Sequence, residues 1–599
     1  MMSLTLRAAD MRWGDQGDGT FANPVLNADY SDPDVIRVGD AYYMTCSEFH
    51  FMGMPILKSE DMVNWRVVGQ VFDSINLPGY SSMEKYGNGT WAPALRYHDG
   101  KFWIFVCTPN EGLFMTTAQN AEGPWEPLVR VANVSGWEDP CPLWDDDGNA
   151  YLGRSQLGAG PIILHKMAAN GKRLLDDGVK IYEGPVAEGT KLFKKDGWYY
   201  LSIPEGGVGT GWQTVLRSKD IYGPYEGKRV LETGSTDVNG PHQGALVDTP
   251  DGEWWFYHFQ SAGTLGRVMH LQPVRWEDGF PVIGEDYDGN GIGEPVKICR
   301  KPAAGAGSPV CLPQTSDQFH AGKWGVQWQF NHNPDYNFIN RTPRDGWLGL
   351  TPLYADRMRN SRNQFTQKLM GYKGQATVKL DYGDLKVGER AGLECIGNKY
   401  VGLEVELYES GKYVIQIEKD GSISNTRILS GDQSTEVWLR LDQDAVDNVF
   451  QFSYSLDGKN FTTLGSGFDM GDGDWKGARV GLFCYAKSEG TDEPGCAYFD
   501  DFEYLCDGPG ALGLELTQQE AEVPASVNVG LDEKSPVTLV IDGSNVAVNA
   551  DFDSPVKVYS PSGESVAAGL TNRMLPLPGD GLYIVYVPEK SFAFKILAK

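Results

Sequence analysis

One form of segment recurs five times in the first half of this 599-residue chain, and nothing else in it restricts the fold as much. Each copy is a Gly or Asp turn followed by an aromatic-rich strand. The copies are GDAYYMTCSE from Gly39, DGKFWIFVCTP from Asp99, DGNAYLGRSQ from Asp147, DGWYYLSIPE from Asp196 and DGEWWFYHFQ from Asp251. Edge segments follow some of them: DMVNWRVVG at Asp61, AEGPWEPLV at Ala121 and IYGPYEGKRV at Ile221, the last two sharing Gly-Pro-aromatic-Glu. A period of roughly 50–60 residues with several short strands per unit reads as a β-propeller of four-stranded blades. Five copies between Asn23 and Gly284 predict five blades. A sandwich would have no reason to repeat both the turn and the edge strand.

After the repeats, KPAAGAGSPVCLPQTSD from Lys301 has no periodicity and reads as a linker. From Asp317 to Asp507 alternating strands return, among them KYVGLEVELYES and STEVWLRLDQ, which suit a two-sheet sandwich. The last stretch, with SPVTLVIDGSNVAVNA and GDGLYIVYVPEK, reads as a small separate β module. The expected class is therefore all-β, with a propeller over 19–300, a sandwich over 316–508 and a small Ig-like or sorting-type module over 509–599. Seventy-three Gly, 17 Trp, 28 Tyr and 25 Phe agree with short strands and tight turns.

A net charge of −28 argues against nucleic acid or an anionic membrane as partner, since both need a positive footprint. No apolar run approaches a membrane span. The nine cysteines show no zinc spacing, and a disulfide framework is not expected; Cys299–Cys311 and Cys496–Cys506 are the pairs a single bridge would join. The opening MMSLTLRAADMRWGDQGDGTF lacks the apolar core of a signal peptide.

Three acids stand just before propeller strands. Asp32 lies in YSDPDVIRV before the first repeat, Asp139 in GWEDPCPLWDDDG before the third, and Glu188 in PVAEGTKLFKKDG before the fourth. A shared offset from the strands points all three at the propeller axis. Asp34 alternates with Asp32 and is read as facing elsewhere, Asp29 as a turn or support residue, and Asp145–Asp147 as a solvated turn. Two carboxyl groups flanking a sugar bond are the minimum for glycoside hydrolysis, one protonated to expel the leaving group and one ionised to activate water or attack. A third nearby raises the acid's pKa by repulsion.

These segments resemble glycoside hydrolase family 43, the five-bladed β-xylosidases and α-L-arabinofuranosidases. NPVLNADYSDPDVIRVGDAYYMT is similar to the family's first-blade signature, which implies Asp32 as general base. The resemblance likewise implies Asp139 as the residue that tunes the acid's pKa and Glu188 as the general acid. It implies substrate contacts at Phe49 in SEFHF, Trp91 in GTWAP and Arg267 in LGRVMHLQ, and at His242 in GPHQG, which in some relatives belongs to a metal or water site. VQWQFNHNPD and AYFDDFEY are similar to the concanavalin-like sandwich that closes over the pocket in xylosidase-type members. The family is inverting, which implies a base–acid separation of about 6.5–9.5 Å.

SEFHFMGMP departs from the aromatic-rich stretch of many xylosidases and tilts the expected sugar toward terminal α-L-arabinofuranose of plant hemicellulose. β-D-Xylose is the alternative, then endo-arabinanase, and last a non-catalytic carbohydrate-binding module. The partner is an oligo- or polysaccharide, and the location expected of such an enzyme is secreted or periplasmic. No cofactor is needed for the chemistry. DYDGNG from Asp286 begins like a calcium loop but has Lys297 at its twelfth position, and with Asp500–Asp501 it is a candidate for structural calcium.

Overall fold

The computed structural model describes residues 11–599 except 83, 306, 430–433, 472–474, 489–492, 515, 517–536, 543–544, 551–553, 561–564, 580, 588–591 and 599. Among these residues the elements are strands, and helix is confined to 3₁₀ turns of three or four residues. Five antiparallel sheets follow one another, each with four strands paired in chain order and the fifth with one strand more. They begin with Asp34–Val38, Trp91–His98, Trp137–Trp144, Lys191–Lys195 and His242–Asp248. Each repeated aromatic segment supplies the second strand of its sheet: Ala41–Thr45, Lys101–Thr108, Ala150–Gln156, Trp198–Glu205 and Trp254–Ser261. The turn ahead of each strand needs left-handed backbone, which explains its composition: Gly39, Gly100 and Gly197 have φ of 62°, 72° and 71°.

First strands contact first strands around the axis, and the fifth sheet meets both the fourth and the first. The ring is closed by chain that precedes the first sheet, Leu26–Asp29, which pairs antiparallel with Arg267–Glu277 in the fifth. The Gly-Pro-aromatic segments also have a structural reason. Trp125 Nε1 donates to the Ala121 carbonyl and Tyr225 Oη to that of Ile221, so the ring ties off the loop that leads to the outer strand.

The region 316–506 forms two facing sheets, with a hydrophobic core in which Val437, Leu439 and Leu441 alternate inward along Glu436–Asp444. One of these sheets extends into the propeller sequence: Phe51–Met52 pairs with Phe330–Asn331 as its last strand. The described residues from Val537 onward belong to a second compact unit. Its strands form a three- and a four-stranded sheet, with Val546, Val548, Val556, Val558 and Val585 in its core. All nine cysteines are free, so neither anticipated pair is bridged. Asp286 accepts the backbone N–H groups of Gly289, Asn290 and Gly291, an Asx-type turn. Among the described residues no group of three or more His, Cys, Asp or Glu side chains is placed to hold a metal ion.

Candidate active site

Each first strand begins with the same irregularity. One residue in the left-handed region bulges out of the pairing with the second strand: Asp32 (φ 52°), Ala92 (39°), Asp139 (53°), Gly189 (59°) and Gln243 (55°). In the third sheet Glu138 faces Ser155 and Cys141 faces Gly153, so three steps on one strand oppose two on the other. The second and fifth sheets shift register in the same way. Bulges of this kind bend a strand end and re-aim its side chains, and they concentrate beside active sites.

This register corrects the reading of a shared offset. Asp32 and Asp139 occupy the bulge, but in the fourth sheet the bulge is Gly189 and Glu188 stands one residue earlier. Glu188 therefore shares its place with Ser31, Trp91, Glu138 and His242. It reaches the same centre because bulge and pre-bulge side chains both gather at the head of the axis. Gly189 N–H donates to Asp139 Oδ2 at 2.6 Å, tying the acid's own turn to the neighbouring carboxylate.

Both aspartates are bound by the same device. Ser47 and Ser155, which face the pre-bulge residues on the second strands, donate their hydroxyls to Asp32 Oδ2 (2.6 Å) and Asp139 Oδ2 (2.5 Å). Asp32 Oδ1 accepts from Arg267 Nη1 at 2.8 Å. With a donor on each oxygen Asp32 bonds as an acceptor-only carboxylate. Burial pushes Asp139 up, while the bonds from Ser155 and Gly189 act against that rise. Glu188 is pushed up to about 8, by burial first and then by the negative charges of Asp139 and Asp32, with Arg267 opposing. The site thus sets Glu188, with its pKa raised, beside aspartates bonded as acceptors, the division of labour that acid–base hydrolysis requires.

Of the proposed contacts, Phe49 and Trp91 meet edge to face at 5.0 Å. Trp475, which the sandwich contributes and which is half exposed, lies 5.6 Å from Trp91. Arg267 is engaged first with Asp32 and Ser31 through Nη1, and among the described residues no hydrogen-bond partner meets its Nη2. His242 is completely buried, with Nδ1 on the Gly240 carbonyl and Nε2 unpartnered. Burial drives its pKa down to about 4, so it is a neutral ring behind the site rather than a wall of it.

Asp29 is a support residue as expected, accepting from Arg267 N (3.0 Å) and Gly477 N (2.9 Å). Asp34 is buried at the start of the first strand, paired with Arg96 (2.7 Å) and Lys191 (3.3 Å). Sequence reasoning missed Glu138, a fourth buried carboxyl pushed up to about 9 by burial and the charges of Asp139 and Glu188. Its Oε1 accepts from Ala159 N at 3.3 Å. The signal was present, since Glu-Asp-Pro-Cys aligns with Glu-Gly-Thr-Lys once the bulges are superposed.

Residues 21–281 match the model for glycosyl hydrolases family 43 and residues 316–505 that of the beta xylosidase C-terminal concanavalin A-like domain. A protein of Xylanibacter ruminicola named "Putative beta-xylosidase" is 53% identical over 469 residues, covering 78% of this chain and 87% of that one. The chain belongs to glycoside hydrolase family 43. A "Beta-xylosidase" of Formosa agariphila is 37% identical over 557 residues, covering 83% of this chain and 92% of the other. Among solved structures, the "Bifunctional GH43-CE" of Bacteroides eggerthii superposes with a TM-score of 0.72 at 30% identity, over 82% of this chain and 64% of that one. The chain is thus a glycosidase of this family, with the family's β-sandwich attached.

Proposed function

We propose that this glycosidase is an exo-acting, inverting β-D-xylosidase that removes terminal xylosyl residues from hemicellulose-derived oligosaccharides. The observation that carries the sugar is the 53% identity to a relative bearing the β-xylosidase name. It outweighs the tilt toward arabinofuranose drawn from SEFHFMGMP alone. In this reading Asp32, held by Ser47 and Arg267, takes a proton from the water that attacks the anomeric carbon. Glu188 gives its proton to the glycosidic oxygen as that bond breaks, and the charge of Asp139 keeps Glu188 protonated beforehand. Arg267 Nη2 is free to bond a sugar hydroxyl, and Phe49 with Trp91 forms an apolar wall. Trp475 of the sandwich narrows the entrance beside Trp91, which favours release of end residues over cleavage within a chain.

Arabinofuranose is the second reading, favoured by the departure around Phe49. The test is kcat/KM on paired 4-nitrophenyl β-D-xylopyranoside and α-L-arabinofuranoside, with proton NMR of the first sugar released. Preference for the xyloside and initial α-xylose are expected. A higher kcat/KM on the arabinofuranoside would replace the sugar, and initial β-xylose would remove the inverting mechanism.

A further inference from the structure

We infer that the β-sandwich positions the catalytic base, through a strap of six residues, Ser47–Met52, clamped at Glu48 by Lys368 and Arg479. The inference rests on Asp32 being the base. Five of the six strap residues, all but His50, are anchored by hydrogen bonds or strand pairing. Ser47 Oγ accepts the Ala92 N–H at 2.7 Å, so its own proton is committed to Asp32 Oδ2. Glu48 exchanges backbone bonds with Thr90 (3.0 and 2.9 Å), and the Phe49 carbonyl accepts from Gly89 N at 2.8 Å. A Cβ on Gly89 would stand 2.1 Å from the Glu48 carbonyl oxygen, so this approach requires glycine. Two residues further on, Phe51–Met52 is a strand of the sandwich sheet.

The clamp lies between these two ends. Glu48 accepts from Lys368 Nζ at 2.5 Å and Arg479 Nη2 at 2.6 Å, and all three side chains are less than a tenth exposed. Arg479 is itself fixed, with Nη1 on Gln329 Oε1 at 2.7 Å and its guanidinium 3.9 Å from the Phe51 ring. Lys368 and Arg479 both belong to sandwich strands, Phe365–Lys368 and Arg479–Ala486. Apolar packing would join two domains without fixing a register. A buried carboxylate between two cations is costly unless its geometry is met, so it specifies one placement of the segment that carries it.

A second route reaches the other oxygen of the base. Gly477 N of the sandwich region donates to Asp29 Oδ2, Asp29 Oδ1 accepts from Arg267 N, and Arg267 Nη1 donates to Asp32 Oδ1. Both donors that aim Asp32 at the water are thus traced to residues outside the propeller. Glu48, Lys368, Arg479 and Asp29 are positioning residues, since each acts on Asp32 through another group.

The test uses the full chain with Lys368→Met, Lys368→Arg, Asp29→Asn and Asp32→Ala. Folded fraction is taken from circular dichroism and kinetics from whichever aryl glycoside the wild type hydrolyses. For Lys368→Met, kcat per folded molecule is expected to fall about tenfold to a hundredfold, as misplacing a reacting group does, with KM within about threefold. Lys368→Arg, which keeps the cation, is expected to recover most of kcat. Should Lys368→Met not fold, Asp29→Asn reads the second route by the same split of kcat from KM. A lower melting temperature with wild-type kcat in the folded variant would overturn the positioning role, since a purely structural clamp gives that pattern. Asp32→Ala separates the two readings. Retained turnover there removes the base assignment itself, whereas a dead Asp32→Ala beside a fully active Lys368→Met removes only the strap.

Discussion

Asp139→Asn isolates one electrostatic effect. Asp139 Oδ2 takes both the Ser155 hydroxyl and the Gly189 N–H, so an asparagine carbonyl oxygen in its place keeps both bonds and removes only the charge. That charge is the largest influence on Glu188 after burial. The bonded Gly189 is the residue next to Glu188, so the two carboxyl groups are neighbours, and a pair of charges on the order of 6 Å apart sets the scale of the effect. At an effective dielectric of about 20 such a pair is worth roughly 2–3 kcal/mol, about two pKa units at most, and about one to two after solvent screening.

The direction follows from the role of Glu188. It acts only when protonated, so hydrolysis is present below its pKa and is lost as pH rises through about 8. Removing a neighbouring negative charge lowers that pKa, and the loss then sets in at about 6–7. The assay is the pH dependence of kcat/KM on xylobiose, whose leaving group needs a proton, against 2,4-dinitrophenyl β-xyloside, whose leaving group does not. The alkaline limb is expected to move by about one to two units on xylobiose and to be weak or absent on the dinitrophenyl substrate. An unmoved limb on xylobiose in a folded Asp139→Asn, with Glu188→Gln inactive, would refute Asp139 as the group that holds the acid protonated.

The other expectations concern single groups. Asp32→Asn and Glu188→Gln should each abolish nearly all hydrolysis, and normal turnover by either, measured by reducing-sugar release, would end the assignment. Glu188→Ala should still cleave the dinitrophenyl xyloside while losing xylobiose. Asp34→Asn leaves Arg96 and Lys191 without their buried counter-charge, and stability in urea should fall by about 3–5 kcal/mol. Trp475→Ala should raise KM for xylobiose severalfold with kcat little changed, read from initial rates, because it removes a wall at the entrance and not a reacting group.

The propeller was legible because each unit repeats a turn whose backbone only Gly or Asp adopts readily and an aromatic strand that must be buried. Those constraints are local, and local constraints leave a periodic trace. The position of Glu188 was legible only in part. A bulge adds one residue without altering the residue types around it, so the offset counted along the chain differed by one from the offset in space. Glu138 was hidden for the same reason. The serines that bond Asp32 and Asp139 lie 15 and 16 residues away, opposite the neighbouring Ser31 and Glu138, and no periodicity marks a hydroxyl.

What stayed out of reach altogether was the dependence of the site on residues more than 300 positions later. Lys368 and Arg479 lie in strands whose own patterns explain only a sandwich, and Glu48 looks like any surface acid beside a strand. Their meeting is a property of the strand exchange at Phe51–Met52, which carries propeller sequence into the sandwich sheet. A propeller can gather acids at its axis unaided, since every blade repeats the bulge. Aiming one of them to within a fraction of an ångström needs a group that the repeat does not supply. The first blade differs from the others at that place: its second and third strands are separated by a longer segment that contains the strap, and the serine that bonds its bulge aspartate is held from outside the ring.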